Sequence, residues 1–357
     1  MKRRIVFILC AALCVLLIAF NKESAQAARE GFVLWQNVLL PSLLPFFVCA
    51  RVMQVSGAMQ PSDPVALFAL SFVSGAPSGA RLCASFDPNG RYPYGPTLVA
   101  ASLNTLSPIY ICGTYASVML GTPVFAVPLI AGQLISSLVF FGLCLRYGML
   151  DVKMHRAAEP MPASKLLPSA IADAVTSLLG ICGTVVFFSV LETMLDVAGV
   201  TAVLTWPARM IVNALGGNGR SVEAVLSAFL EVASGANEIA QSGMGLRSIV
   251  TVSAFAFTFG GLCIAVQSML FMRIDLGRYV VVKLAQAALS ALIAFLLFPL
   301  CAKGISPVGA SLDQVLSNAV SACVIFAVSL FAMGLVLLLC AVRRTKGYRT
   351  KNMQGGI

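Results

Sequence analysis

Charge is what this chain has least of. Only 11% of its 357 residues are Asp, Glu, Lys or Arg, against 59% hydrophobic ones, a balance that leaves a soluble fold too little polar surface to cover itself. Histidine is scarcer still: His155 stands alone, in a basic loop, which removes Ser/His and Cys/His relays. There is no glycine-rich phosphate loop followed by lysine, and no carboxylate pair in a soluble cleft. An enzyme is therefore not expected, nor is any cofactor. The eleven cysteines are scattered through apolar stretches without a CxxC pair, so neither a disulfide framework nor a metal site is expected.

What remains is hydrophobic sequence from end to end, the signature of an all-α polytopic membrane protein with the lipid bilayer as its solvent. The formal charge of +10 collects in three juxtamembrane clusters: Lys2-Arg3-Arg4, then Arg146, Lys153, His155, Arg156 and Lys165, then Arg343, Arg344, Lys346, Arg349 and Lys351. Clusters beside apolar segments orient a chain in the membrane, and no nucleic acid is implied. All three are assigned to the cytoplasm, and both termini with them.

The apolar run Ile5–Phe20 follows three bases and precedes Ala25-Gln26-Ala27, a pattern shared by cleaved signal peptides and retained signal anchors. From an inside amino terminus, the chain must return inside by residues 146–165, which takes an odd number of crossings. Four apolar segments lie between, near 31–53, 65–86, 97–120 and 123–146, so one of them should be broken or re-entrant. Beyond the loop the segments near 170–198, 221–241, 247–271, 280–301 and 317–342 are again one too many for a cytoplasmic tail. Ala202–Leu215, with Trp206, Pro207 and Arg209, has the pattern of an amphipathic surface helix.

The breaks are visible in composition. Ser74-Gly-Ala-Pro-Ser-Gly-Ala-Arg81 is echoed by Ser234-Gly-Ala-Asn237, and glycine and proline breaks at membrane depth survive only inside protein or beside water. Phe46-Phe47, Met53 and Gly57 parallel Phe187-Phe188, Met194 and Gly199 in order. Since one half runs from outside to inside and the other returns, the expected architecture is two inverted repeat units built on re-entrant or broken helical hairpins. The resulting division is an anchor helix and short external loop (1–30), a first unit (31–146), a basic cytoplasmic loop (147–169), a second unit (170–301), and a final helix with a basic tail (302–357).

Candidate site residues cluster at these breaks. Ser74, Gly75, Pro77, Ser78 and Gly79 would open the first helix, and Glu231, Ser234, Gly235 and Asn237 the second, exposing backbone dipoles to a small polar solute or ion. Tight helix crossing through small residues explains such glycines equally well. A cation at membrane depth costs about 2.5–3.5 kcal/mol, so Arg81 is expected either to pair with Glu231 or Glu238 or to snorkel to water. The amides of Asn104 and Gln267 sit in apolar stretches, suited to binding a solute or to joining helices. Glu192 and Asp196, one turn apart near a segment end, are expected to be solvated caps.

Several ordered motifs resemble one family. Pro41-Ser-Leu-Leu-Pro-Phe-Phe47, Ser74-Gly-Ala-Pro-Ser-Gly-Ala80, Asn104 before Ser107-Pro108, Glu231-Val-Ala-Ser-Gly235, and Gly260-Gly261 with Gln267 together resemble the YlbJ-type sporulation integral membrane proteins. That group carries the nucleoside-recognition or Gate domain also found in concentrative nucleoside transporters, ferrous-iron permeases and spore maturation proteins. The resemblance spans roughly residues 5–300 and departs at Ala76, where members have an aromatic residue, and in a shorter first-half linker. It implies a retained anchor helix, Gate-like units and a role in endospore formation in a Gram-positive bacterium, with a homo-oligomer or spore-membrane proteins as possible partners. Two functions remain open: binding or passage of a small solute or ion, or a non-transporting scaffold for spore-envelope assembly.

Overall fold

The computed structural model describes residues 2–55, 64–84, 94–149, 162–214 and 220–302. The expected final helix and basic tail beyond Ala302, and His155 with most of its loop, lie outside the described residues. Every regular element within them is helical, so the protein is an all-α polytopic membrane protein. Among the described residues four helices are long and apolar enough to cross a bilayer: Pro123–Arg146, Ser164–Val197, Leu246–Met269 and Leu276–Ala302. Large apolar side chains such as Ile18, Val281 and Leu300 stand outward, as a lipid-facing surface requires.

The amino-terminal helix α1 (Lys2–Ala19) meets α2 (Asn21–Leu34) at a bend of 100°. Residues 21–30, expected as an external loop, are thus helical. Gly31 is the reason that α2 can lie on the protein: a Cβ there would come within 2.7 Å of Ser189 Oγ. Through a π-helical stretch, Trp35–Leu39, α2 continues into α3 (Leu40–Val55). This composite helix runs along α8 (Ala163–Val197), which starts earlier than 170 and takes Lys165 out of the basic loop. Gly31 meets Ser189 near one end and Arg51 meets Asp173 near the other, so the two helices are antiparallel. Trp35, Phe47, Leu178, Ile181 and Val185 fill the seam, and the Trp35 indole donates to the Leu178 carbonyl at 3.0 Å.

The composite helix and α8 are each followed by a similar series. In the first half α4 (Pro64–Ser74) breaks into α5 (Ser78–Cys83), α6 (Gly95–Leu103) breaks into a π-helical stretch (Tyr110–Met119), and α7 (Ala126–Arg146) closes the unit. In the second half α9 (Val200–Ala214) is inserted. Then α10 (Arg220–Leu230) breaks into α11 (Val232–Gln241), α12 (Leu246–Phe259) into α13 (Gly261–Met269), and α14 (Leu276–Ala302) ends the series. The inserted α9 is the expected surface helix, with Trp206 and Met210 exposed.

Contacts obey the same exchange. α6 packs on α14 as α12 packs on α7, and α5 touches α13 as α11 touches the Tyr110–Met119 stretch. The closing helices α7 and α14 pack on each other through small residues: a Cβ on Gly132 would lie 2.6 Å from the Ser290 carbonyl oxygen, the close approach by which helices associate in lipid. Phe68, Phe72, Tyr115, Phe141 and Phe257 form the main aromatic core, with Tyr115 edge-on to Phe257 at 4.6 Å.

Candidate functional site

Among the described residues beyond α3, four helices are interrupted, two more than composition announced. The first break leaves Gly75 at φ 76° and is closed by serines: Ser74 Oγ donates to Ser78 Oγ at 2.5 Å, and Ser78 Oγ donates to the Gly75 carbonyl. Pro77, joined to Ala76 through a cis peptide, precedes α5. The break fits against another: a Cβ on Gly75 would stand 2.6 Å from the Ser107 nitrogen, and one on Gly79 would stand 2.6 Å from Asn104 Oδ1. The stretch Asn104–Ser107 is itself the second, unanticipated interruption, and the Ala76 N–H donates to the Thr105 carbonyl at 2.6 Å.

The interruption in the other half falls at Glu231, not at Gly235. Glu231 is extended (φ −136°, ψ 114°), and its carboxylate accepts from the Ser234 N–H at 2.6 Å, capping α11. Gly235 is an ordinary helical residue whose missing side chain lets α11 lie on Ala228. Asn237 is exposed and accepts from Gln241, away from the breaks. The fourth interruption is Gly260-Gly261, both with positive φ.

Where the interruptions meet there is a cavity of about 50 Å³, walled in part by Ala76, Ser107, Tyr110, Glu231, Ala233 and Gln267. Such a volume holds a water or a bare ion; a larger solute needs the walls to part. Glu231 and Gln267 are buried here, and Gln267 donates to Cys263 Sγ at 3.2 Å. The Tyr110 hydroxyl is buried without a hydrogen-bond partner, a polar group left over for an occupant. Ile181 and Val185 of α8 complete the wall. They lie midway between Asp173 and Glu192, a stretch that rises about 28 Å against a hydrocarbon thickness of roughly 30 Å. The cavity therefore faces the middle of the uncharged stretch of α8.

A second cavity, of about 310 Å³, lies toward the Glu192 end and is lined by Glu192, Asp196, Glu223, Glu238, Ser227 and Thr201. The first two are thus not isolated caps. Glu223 is matched by Arg209 at 2.6 Å, and Glu238 accepts from Ser227 at 3.2 Å. Glu192 is within electrostatic reach of Glu231. Among the described residues no group of three or more His, Cys, Asp and Glu side chains is placed to hold a metal ion.

Arg81 is not with Glu231 or Glu238. Its guanidinium lies over Phe47, 5.0 Å from the ring centre, and among the described residues it forms no ion pair with Glu231 or Glu238. Asn104 is a joint between halves: Oδ1 accepts from the Ala80 N–H at 3.0 Å, and Nδ2 donates to Ser268 Oγ at 2.8 Å and Tyr279 OH at 3.2 Å. Two α14 residues that sequence reasoning passed over serve the same segment. Lys283, fully buried, donates to the Asn104 carbonyl, and Gln286 donates to the Ser102 carbonyl at 3.0 Å. Both satisfy carbonyls at the end of α6 that lose helical partners. Their signal in the sequence was only a polar residue at helical spacing in an apolar run.

No family model matches this chain, and no solved structure matches it. The chain is similar to the sporulation integral membrane protein YlbJ of Bacillus subtilis (strain 168), with 22% identity over 289 residues that cover 70% of this chain and 71% of that protein.

Proposed function

We propose that this protein acts in sporulation as a non-catalytic membrane protein that binds a small polar solute or ion and passes it by alternating access between two inverted units. The observation that carries this reading is the convergence of the Ala76, Ser107 and Glu231 interruptions on one cavity, since unwound backbone within a membrane serves to line a site. Inversion is supported by the antiparallel run of Asn21–Val55 against α8 and by the exchange-related contacts. Carboxylates in both cavities, Glu231 in one and Glu192, Asp196 and Glu238 in the other, favour a cation or neutral polar solute over an anion. The likeness to YlbJ supports the sporulation role. The reading keeps both termini in the cytoplasm, where the basic loop lies at the Asp173 end of α8.

The test uses single cysteines at Ala76 and Ala233 in a cysteine-free background, exposed to a membrane-impermeant thiol reagent from each side. Both are expected to react, and a candidate solute should slow them. If neither reacts in a folded, sporulation-competent protein, the cavity is dry and the chain is a scaffold. Glu231→Gln preserves shape and the acceptor for Ser234, so it should leave membrane insertion and melting temperature nearly unchanged. Spore yield should nevertheless fall at least about tenfold, as expected for an intramembrane carboxylate with a functional role. Full sporulation in that variant would count against a solute site at Glu231.

A further inference from the structure

Toward the opposite end of α8 from the acidic vestibule, a second guanidinium stands near an arginine–carboxylate pair. Arg51 Nε on α3 donates to Asp173 Oδ2 on α8 at 2.7 Å. Arg81, on α5, is within electrostatic reach of both. Its Nη1 is buried with no hydrogen-bond partner, although the ring of Phe47 supports the guanidinium from one side. Among the described residues the cluster therefore carries one positive charge without a matching carboxylate, together with an unsatisfied donor, an arrangement that is costly unless something completes it.

The depth is informative. Asp173 and Glu192 bracket the uncharged stretch 174–191 of α8 and stand about a hydrocarbon thickness apart, which puts Asp173 near the level of lipid phosphates if that stretch fills the hydrocarbon layer. The side chains of Arg51 and Asp173 are 36% and 41% exposed, so an occupant can reach them from the surface.

We propose that Arg81 and Arg51, held by Asp173 and Phe47, form a binding site for a phosphate-bearing anion, and that the depth of the cluster assigns it to a phospholipid headgroup. A phosphodiester brings the single negative charge that neutralises the cluster. Its oxygens fit the planar donor fork of arginine, which a point-charge cation would not match as well. Anionic headgroups are also concentrated at cytoplasmic surfaces rich in basic side chains. The site is separate from the central cavity and stands whether or not the protein moves a solute.

The experiment follows thermal melting of the full-length protein, purified in a neutral detergent, with added phosphatidylglycerol, phosphatidylcholine or inorganic phosphate at matched ionic strength. Phosphatidylglycerol should raise the melting temperature above the phosphatidylcholine value by about 2–4 °C, the shift of a ligand that binds only the folded state. Arg81→Gln should abolish this increment and Arg51→Gln should reduce it, while Arg247→Gln, a cation stacked on Phe295 elsewhere, should retain it. If inorganic phosphate alone reproduces the increment, the site holds and its occupant is a soluble phosphate compound. If Arg81→Gln does not fold, Arg81→Lys replaces it and should lose about half the increment or more. An increment that survives intact in the Arg81 variant, or no increment from either phosphate source, overturns the assignment.

Discussion

Gly235→Ala is expected to destabilise this protein by about 3 kcal/mol or more, an unusually large effect for one methyl group. The added Cβ would lie 2.2 Å from both the Cα and the nitrogen of Ala228 and 2.5 Å from its Cβ. Backbone cannot turn aside as a side-chain tip can, so α10 and α11 would have to separate, opening the hairpin that carries Glu231. Gly113→Ala is the matched control, because nothing lies within 4 Å of a Cβ built there; its effect should stay within about 0.5 kcal/mol. Melting temperatures of the two purified variants decide the matter, and equal values would refute the close approach.

The second large effect is at Asn104. Asn104→Ala removes one acceptor and two donated bonds at once, leaving the Ala80 N–H without its Asn104 acceptor at membrane depth. Individual interhelical hydrogen bonds in membranes average about 0.6 kcal/mol, while an unsatisfied buried donor costs about 1–3 kcal/mol, so a loss of about 2–4 kcal/mol is expected. Ser268→Ala and Tyr279→Phe each remove one of these bonds and should together cost less than Asn104→Ala. A melting temperature for Asn104→Ala no lower than that for Ser268→Ala would show that the joint is not where the halves are held.

These two positions illustrate what could be read in advance. Gly235 reads in the sequence as an opening in a helix, but it lies inside α11 against Ala228; composition does not distinguish a glycine that breaks a helix from one that lets a neighbour approach. The break four residues earlier falls at Glu231, a residue type that gives no turn signal, because the cap it makes to Ser234 becomes visible only in three dimensions. Asn104 was singled out for its amide in an apolar run, and its partners proved to be Ala80, Ser268 and Tyr279, far away in the chain. For Arg81 the sequence suggests pairing with Glu231 or Glu238, or snorkelling, whereas its guanidinium lies over Phe47 with Arg51 and Asp173 in electrostatic reach.

By itself the sequence determined the solvent and the class: a chain with 59% hydrophobic residues and 11% charged ones must satisfy its backbone internally in lipid, and helices do so using only local bonds. It also located the first break, because glycine and proline act on their own neighbours. Tertiary structure alone decided which interruptions meet, which carboxylates gather into a vestibule, and which cations stand together. Those are contacts between segments remote in sequence, and Lys283 reaching the carbonyl of Asn104 has no local cause that a pattern of neighbouring residues could display.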